Sequence, residues 1–258
     1  MQIRLSAVLQ FFDGYRRRPL RANEATFLVN LSPAQPVYKQ NGYFVFSNLN
    51  PGNARIDVLS PLFLPETIEV SVPEEPGKYS VYYRVLNPAR GYPFGASPTA
   101  LRGKFMKEGL PAVRERILIC IPETRELLKV AQDDLEAGGA RIKLFSSMQT
   151  WRLPIPGKFM IADRDESRRE LCMITGAPDK DNFYPVSEPL LYSHARGSPL
   201  VEVMEFRTAA DGAFYIAVPE RHESLRRVEL ETPGICPGKS WTAELERGRE
   251  TDMGVISV

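Results

Sequence analysis

Apolar and polar positions alternate with a period of two along much of this chain, and that period predicts strands with one face toward a core. Ile3, Leu5, Ala7 and Leu9 alternate with polar or small partners up to Phe12. Thr26-Phe-Leu-Val29 predicts a second strand, and Thr67-Ile-Glu-Val-Ser-Val72 alternates cleanly. Ser80-Val-Tyr-Tyr-Arg-Val-Leu86 predicts the last strand of this block. The strongest signal is Pro36-Val-Tyr-Lys-Gln-Asn-Gly-Tyr-Phe-Val-Phe-Ser-Asn-Leu-Asn-Pro-Gly52, two apolar runs around a tight turn. Asn41-Gly42 tolerates positive φ at both central positions, so it predicts a type I′ hairpin turn. Phe44 and Phe46 then share one face, and 48–52 supplies the next turn.

Beyond residue 86 the pattern is less regular. Residues 87–98, Asn-Pro-Ala-Arg-Gly-Tyr-Pro-Phe-Gly-Ala-Ser-Pro, predict a linker between domains. Leu118-Ile-Cys-Ile121 predicts a buried strand. Residues 122–137 fit two readings: a short helix with Leu127, Leu128, Ala131 and Leu135 on one stripe, stopped by Gly138-Gly139, or a strand over Leu127-Leu-Lys-Val-Ala131. Ala140-Arg-Ile-Lys-Leu-Phe145, Gly157-Lys-Phe-Met-Ile-Ala162 and Leu171-Cys-Met-Ile174 return to strand. Asp211-Gly212-Ala-Phe-Tyr-Ile-Ala-Val-Pro219 echoes Asn41-Gly42-Tyr-Phe-Val-Phe46, and Gly197-Ser-Pro-Leu200 echoes Pro19-Leu20. The expected architecture is all-β: two to three β-sandwich modules with at most one short helix. Its expected divisions are 1–86, the linker 87–98, and a β-rich region 99–258 that divides into modules 99–175 and 176–258 if it divides at all.

The order Lys39, Asn41-Gly42, aromatic, Phe44-Val-Phe46, Asn48-Leu-Asn-Pro-Gly52 resembles the carboxypeptidase-regulatory-like or transthyretin-like β-sandwich family. In that family an Asp/Asn-Gly turn precedes a Phe-x-Phe strand, and a Leu-x-Pro-Gly turn leads to the next, here Arg55-Ile-Asp-Val-Leu-Ser60. Arg18-Pro19-Leu20 resembles the family's Gly-x-Pro-Leu, with Arg where Gly is common. The resemblance covers roughly the first 85 residues. It implies a fold and almost nothing about function, because such modules serve as accessories in many settings.

Composition narrows the function classes. The chain has 258 residues, 43% of them hydrophobic and 25% charged, with 22 prolines and 18 glycines that suit many short strands. Lys and Arg number 33 against 32 Asp and Glu, a net charge of +1, which disfavours a general nucleic-acid binder. Three cysteines without metal-ligand spacing suggest neither a metal site nor a disulfide framework, and Cys120 and Cys172 read as core residues. The N-terminal apolar stretch lacks the form of a signal peptide and is too short to span a bilayer. A cytoplasmic protein, or one carried out of the cell in a particle, is expected, with no membrane partner.

Few residues suggest chemistry. His194 lies near Ser193 and Ser198, which invites a hydrolase reading, but no Gly-x-Ser-x-Gly elbow is present and a loop histidine is the simpler account. His222 sits in a polar loop. Asp163-Arg-Asp-Glu166 and Asp179-Lys-Asp-Asn182 imitate the start of a calcium loop without its glycine or closing glutamate; turn chemistry explains both. Trp151, Trp241, Tyr92 and Phe94 could form a sugar-stacking platform or belong to cores. Arg16, Arg17, Arg18 and Arg21 are the densest charge of one sign, and they are the candidate partner-binding residues against an acidic protein surface. No catalytic residue, cofactor or metal is expected. The sequence therefore reads as a non-enzymatic subunit of a protein assembly, by analogy an accessory of a phage-tail-like or contractile injection particle. A carbohydrate-binding protein is the alternative, and a hydrolase using His194 the third reading.

Overall fold

The structure is a computed structural model that describes residues 4–75, 78–122, 128–147, 155–162, 165–219, 227–234 and 236–258. It is all-β, as the sequence predicts, and the helical elements among the described residues are short 3₁₀ turns at Gln40–Gly42 and Glu166–Arg168. None of the described helices is long and apolar enough to cross a membrane. The chain divides into two compact units, 1–95 and 96–258.

The first unit contains β1 (Leu5–Asp13), β2 (Thr26–Val29), β3 (Ser32–Ala34), β4 (Val37–Lys39), β5 (Tyr43–Ser47), β6 (Gly52–Leu59), β7 (Glu66–Val72) and β8 (Ser80–Leu86). They form two four-stranded sheets, β4-β5-β1-β8 and β3-β2-β6-β7. β1 is antiparallel to β5 and parallel to β8. The two sheets face each other through a cluster of rings. Phe27 on β2 lies 5.6, 4.9 and 5.5 Å from Phe11, Phe44 and Phe46 of the other sheet. The Phe44/Phe46 alternation places both in this core, at 2% exposure each. The turn before them differs from a two-residue type I′ loop. Asn41 and Gly42 do take positive φ, 61° and 76°, but Lys39 pairs with Tyr43, so three residues bridge the strands. Residues 87–95 belong to this unit and are not a free connector: Tyr92 is buried, and its hydroxyl donates to Asp13 Oδ2 at 2.6 Å.

The second unit opens with β9 (Ala100–Lys107), β10 (Leu110–Pro111), β11 (Arg116–Ile121), β12 (Leu128–Val130), β13 (Asp134–Leu135), β14 (Arg141–Ser146), β15 (Gly157–Ile161) and β16 (Glu170–Ile174). It continues with β17 (Phe183–Pro185), β18 (His194–Ala195), β19 (Leu200–Arg207), β20 (Ala213–Ala217), β21 (Arg227–Thr232), β22 (Cys236–Glu244) and β23 (Glu250–Ser257). Its pairings repeat those of the first unit. β9 is antiparallel to β20 and parallel to β23, as β1 is to β5 and β8. β11 pairs with β19 and β21, and β21 with β22, as β2 pairs with β3 and β6, and β6 with β7. The second unit is thus a topological copy of the first, interrupted by residues 122–199.

A packing detail repeats with it. Gly42 sits so close to β1 that a Cβ would lie 2.6 Å from Phe11 O and 3.1 Å from Leu20 N. Gly212, at φ 79°, repeats this at 2.5 Å from Phe105 O and 3.1 Å from Ala112 N. In both, the crossing segment bonds to the same place: Leu20 N to Phe11 O and Ala112 N to Phe105 O, each at 3.0 Å. The Asp211-Gly212 echo is therefore structural. The other echo is corrected: the counterpart of Pro19-Leu20 is Pro111-Ala112, and Gly197–Leu200 instead leads into β19.

The insertion extends one sheet and adds another. β15 and β16 join β19, giving the order β16-β15-β19-β11-β21-β22, so strands from 99–175 and 176–258 alternate in a single sheet. These residues do not make two successive modules. The three-stranded sheet β12-β14-β17 lays Leu128, Val130, Ile142 and Leu144 against Phe159, Ile161, Cys172, Ile174 and Leu200. Where residues 122–137 are described they contain strands β12 and β13 and no α-helix, because Leu128 and Val130 alternate into this core. Glu123 and Leu127 lie outside the described residues.

Candidate functional site

The basic loop after β1 is built around a buried acid. Asp13 is 0% exposed, and its Oδ1 accepts the backbone N–H groups of Tyr15 and Arg16, both at 2.9 Å. Its carbonyl accepts Arg17 N at 2.8 Å, and its N–H reaches Arg18 O at 2.8 Å, which closes the loop on itself. Burial and the bond to Asp13 both push the Tyr92 phenol well above its usual range. Tyr92 also packs on Tyr15, Phe63 and Phe94 at centroid distances of 5.7, 5.6 and 4.9 Å.

This geometry commits part of the arginine cluster. Arg16 donates to Pro93 O at 2.8 Å and lies over the Tyr92 ring at 5.3 Å. Arg18 forms a two-pronged pair with Glu24 at 2.9 and 2.5 Å and stands 3.6 Å from Asp13. Burial pushes the Glu24 carboxyl up, but the Arg18 bond and the Arg21 backbone N–H outweigh it, so its pKa falls below the ordinary value. The same bond raises Arg18. Arg17 is half-buried at φ 55°, and Arg21 is exposed. The cluster is a loop tied from within as much as a surface.

His194 meets a carboxylate, though not in a cleft. The residue is 3% exposed, with Nε2 2.7 Å from Glu170 Oε1. Glu170 also accepts the backbone N–H groups of Leu191 and Tyr192, at 2.7 and 3.1 Å. One buried acid thus pins the 191–194 segment to β16, a positional role for both side chains. Nearby Cys172 is no ready nucleophile: burial, with the Glu170 charge beside it, pushes its thiol up to about 12.

Asp179 caps a turn. Its Oδ1 accepts Asp181 N and Phe183 N at 3.0 Å each, and Oδ2 meets Arg141 at 3.0 Å; the bond from Phe183 N is the main reason its pKa is lowered. The described aromatic candidates pack within their own units. Tyr92 and Phe94 serve the first unit's ring cluster, while Trp241 in the second packs on Phe105 at 5.3 Å with Lys239 over its face at 5.2 Å. Trp151, Asp163 and His222 lie outside the described residues.

A shallow groove at one end of the first unit is lined by Asn30, Asn48, Asn50 and Asn53 with Val29, Leu49, Pro51 and Ala54. Asn30 and Asn48 occupy positive φ there, and their Oδ1 atoms accept Arg55 N and Arg4 N at 2.9 Å, taking over strand pairing where the ladder stops.

The second unit offers a different surface. On β14, Ile142 and Leu144 face the core, so Arg141, Lys143 and Phe145 stand on the opposite side. Lys129 pairs across from Phe145, and Phe183 from Lys143. Arg141 and Lys143 lie 5.3 and 5.5 Å from the Phe183 ring centroid. Phe145 is 57% exposed.

No family model matches this chain, and no curated protein does. Among solved structures it aligns with a Streptococcal ancillary pilin at 10% identity, covering 98% of this chain and 61% of that one, with a TM-score of 0.26. It aligns with the Bacillus anthracis TIE protein at 10% identity, covering 98% and 50%, also at 0.26. The chain spans less than two thirds of the length of either structure.

Sequence reasoning did not single out Lys129, Arg141, Lys143, Phe145 and Phe183 as a group. The signal was present in Ala140-Arg-Ile-Lys-Leu-Phe145, where Arg141, Lys143 and Phe145 alternate with Ile142 and Leu144. What gathered the set was pairing between strands far apart in sequence, which no local pattern reports.

Proposed function

We propose that this chain is a non-enzymatic structural subunit made of two transthyretin-like sandwich modules and held by neighbours in a larger protein assembly. One observation carries the reading: the second module spends its insertion on widening a sheet edge and raising an extra sheet, which enlarges exposed surface. The acidic, histidine and aromatic candidates contribute to the same picture, since Asp13, Glu170, Asp179, Tyr92 and Trp241 each hold a loop or a core in place. A tail-like or contractile particle is the assembly type proposed, with the protein residing in the cytoplasm until such a particle forms.

Native size fractionation of a lysate from the source organism tests this. The chain is expected in a fraction of far higher mass than its own 29.1 kDa, alongside fixed partners, while the purified chain elutes as a small species. Elution of the lysate protein at its own mass would overturn the reading.

A further inference from the structure

The sheet edges of this chain are not defended alike. An edge strand presents a row of unpaired N–H and C=O groups, and proteins blunt it with brevity, proline, lysine, a bulge or a covering segment. β3, β10 and β17 are two or three residues long, and each contains a proline. β4 is three residues long and ends in Lys39. β23 breaks register between Asp252 and Val255, and β16 is covered where Ser187 N donates to Met173 O at 2.9 Å. β7 carries Glu66 and Glu69, and its Ser71 N–H donates to Tyr82 Oη at 2.8 Å.

β8 has none of these defences. It ends its sheet and runs in unbroken parallel register with β1 from Ala7–Ser80 to Asp13–Leu86, with no proline, lysine or acid. Leu86 C=O accepts Gly14 N at 2.9 Å on the β1 side, so alternation turns the N–H and C=O groups of Val81, Tyr83 and Val85 away from β1. Among the described residues those outward groups have no backbone partner, and Tyr83 C=O takes only the Arg84 guanidinium, at 2.8 Å.

We propose that β8 pairs with β8 of a second copy of this chain, antiparallel about a twofold axis through Tyr83, joining two four-stranded sheets into one. That register sets Tyr83 against Tyr83 and Val81 against Val85 on one face, and Tyr82 against Arg84 on the other. Ring meets ring, branched side chain meets branched side chain, and cation meets ring, all pairings that stabilise a ladder. A strand laid on its own reverse brings the residue at the axis against itself, so a charge there would forbid the contact. Here that residue is neutral, and the one charged residue, Arg84, is offset from its copy. The apolar row Val37–Val45–Val8–Val81 crosses the sheet and leaves Val81 40% exposed at its end; in the dimer it continues into Val85 and Phe12 of the second copy. This self-match argues for a second copy over a strand of other sequence, and an isologous contact closes at two. The pairing needs no other chain, so it stands whether or not the assembly reading does.

Sedimentation equilibrium of the purified full chain from about 1 to about 500 µM tests this. The mass is expected to rise with concentration from 29.1 kDa toward twice that and no further. Tyr83→Lys and Tyr83→Glu set like charges together at the axis, so each weakens association at least about tenfold, and mixing the two restores it as a mixed dimer. Val255→Lys, on the corresponding edge strand of the second unit, leaves association unchanged. Urea midpoints accompany each variant. If the Tyr83 variants do not fold, Val81→Glu and Val85→Lys replace them, because those positions face each other across the axis. A mass that stays at 29.1 kDa at every concentration overturns the proposal. So does growth beyond two copies, association indifferent to charge at the axis, or failure of the oppositely charged variants to associate on mixing.

Discussion

The two units have interiors of the same kind and differ on their outer faces. In the first, the outer face of β1 and its neighbours is apolar except for one amide: Val8 pairs with Val45 and Val81, Gln10 with Tyr43 and Tyr83, and Phe12 with Val85. In the second, the positions matched through Phe11 and Phe105 carry Arg102 and Lys104, and Arg102 forms ion pairs with Glu250 and Asp252 at 2.8 and 2.9 Å. The inner faces match in kind: Phe11 packs edge-on to Phe44 at 5.6 Å, and Phe105 packs on Phe214 at 5.3 Å. Interior positions answer to packing density, so they tolerate little change. Outer positions answer only to whatever lies beyond them, so two copies of one fold can diverge there at small cost.

The most severe way to break this equivalence is to fill its two matching glycines. Gly42→Val and Gly212→Val each put a branched side chain at positive φ against a carbonyl oxygen, 2.6 and 2.5 Å from the new Cβ. Each is expected to cost about 3 kcal/mol or more. Both tryptophans lie in the second unit, so their fluorescence in urea reports Gly212→Val, and hydrogen exchange of β1 amides reports Gly42→Val. A loss under about 1 kcal/mol at either site would show that the two turns are not equivalent.

That motif also marks how far the sequence could be read. Asn41-Gly42 and Asp211-Gly212 were legible because a positive-φ requirement leaves few residue choices, and Phe44 and Phe46 because a sandwich demands a period of two. The insertion was not legible. β11, β15 and β19 are each buried on both faces, so their residues show no alternation to mark a boundary. Residues 87–95 misled for a related reason: Pro and Gly suggest a connector, while the bond from Tyr92 to Asp13 that folds them into the first unit spans 79 positions. Charge density in sequence likewise says nothing of Glu24 and Asp13, which engage Arg18 from within the loop.

Asp13 sharpens the comparison next, since β9 has Lys107 where β1 ends in Asp13. Asp13→Ala strands two backbone N–H groups and the Tyr92 hydroxyl, so a loss of about 2–3 kcal/mol is expected in the first unit alone. Hydrogen exchange should accelerate in β1 and β8 while tryptophan-detected unfolding is unmoved. Parallel weakening of both units would contradict independent modules.

Each unit also carries a partly buried glutamate with a depressed pKa, which gives a pH comparison of smaller size. Glu24 is lowered by Arg18 and the Arg21 amide against burial, and Glu205 by Lys158 and Arg116 against burial. A carboxyl whose folded pKa lies below its unfolded one stabilises the protein above the unfolded value, near 4.3, and loses that contribution as pH falls through the folded value. Glu24→Gln should therefore flatten the acid limb of the first unit and Glu205→Gln that of the second, each costing roughly 1 kcal/mol at neutral pH. An unchanged acid limb in the matching unit would mean the pair contributes nothing there.

The smallest effects come from exchanging the outer faces themselves. Arg102→Val removes ion pairs that are largely solvent-exposed, and Val81→Thr exchanges a methyl for a hydroxyl on a side chain that is 40% exposed, so each should change the unfolding free energy by no more than about 0.5 kcal/mol. The two results are informative because the inner faces predict the opposite scale. A small loss at both sites means that each sheet is held from within and its outer chemistry is free to serve something else. A loss above about 1.5 kcal/mol for Val81→Thr would mean that the first unit's valine face is core in its own right. The contrast between the modules would then be one of packing, with no freedom left at its surface for divergence to act on.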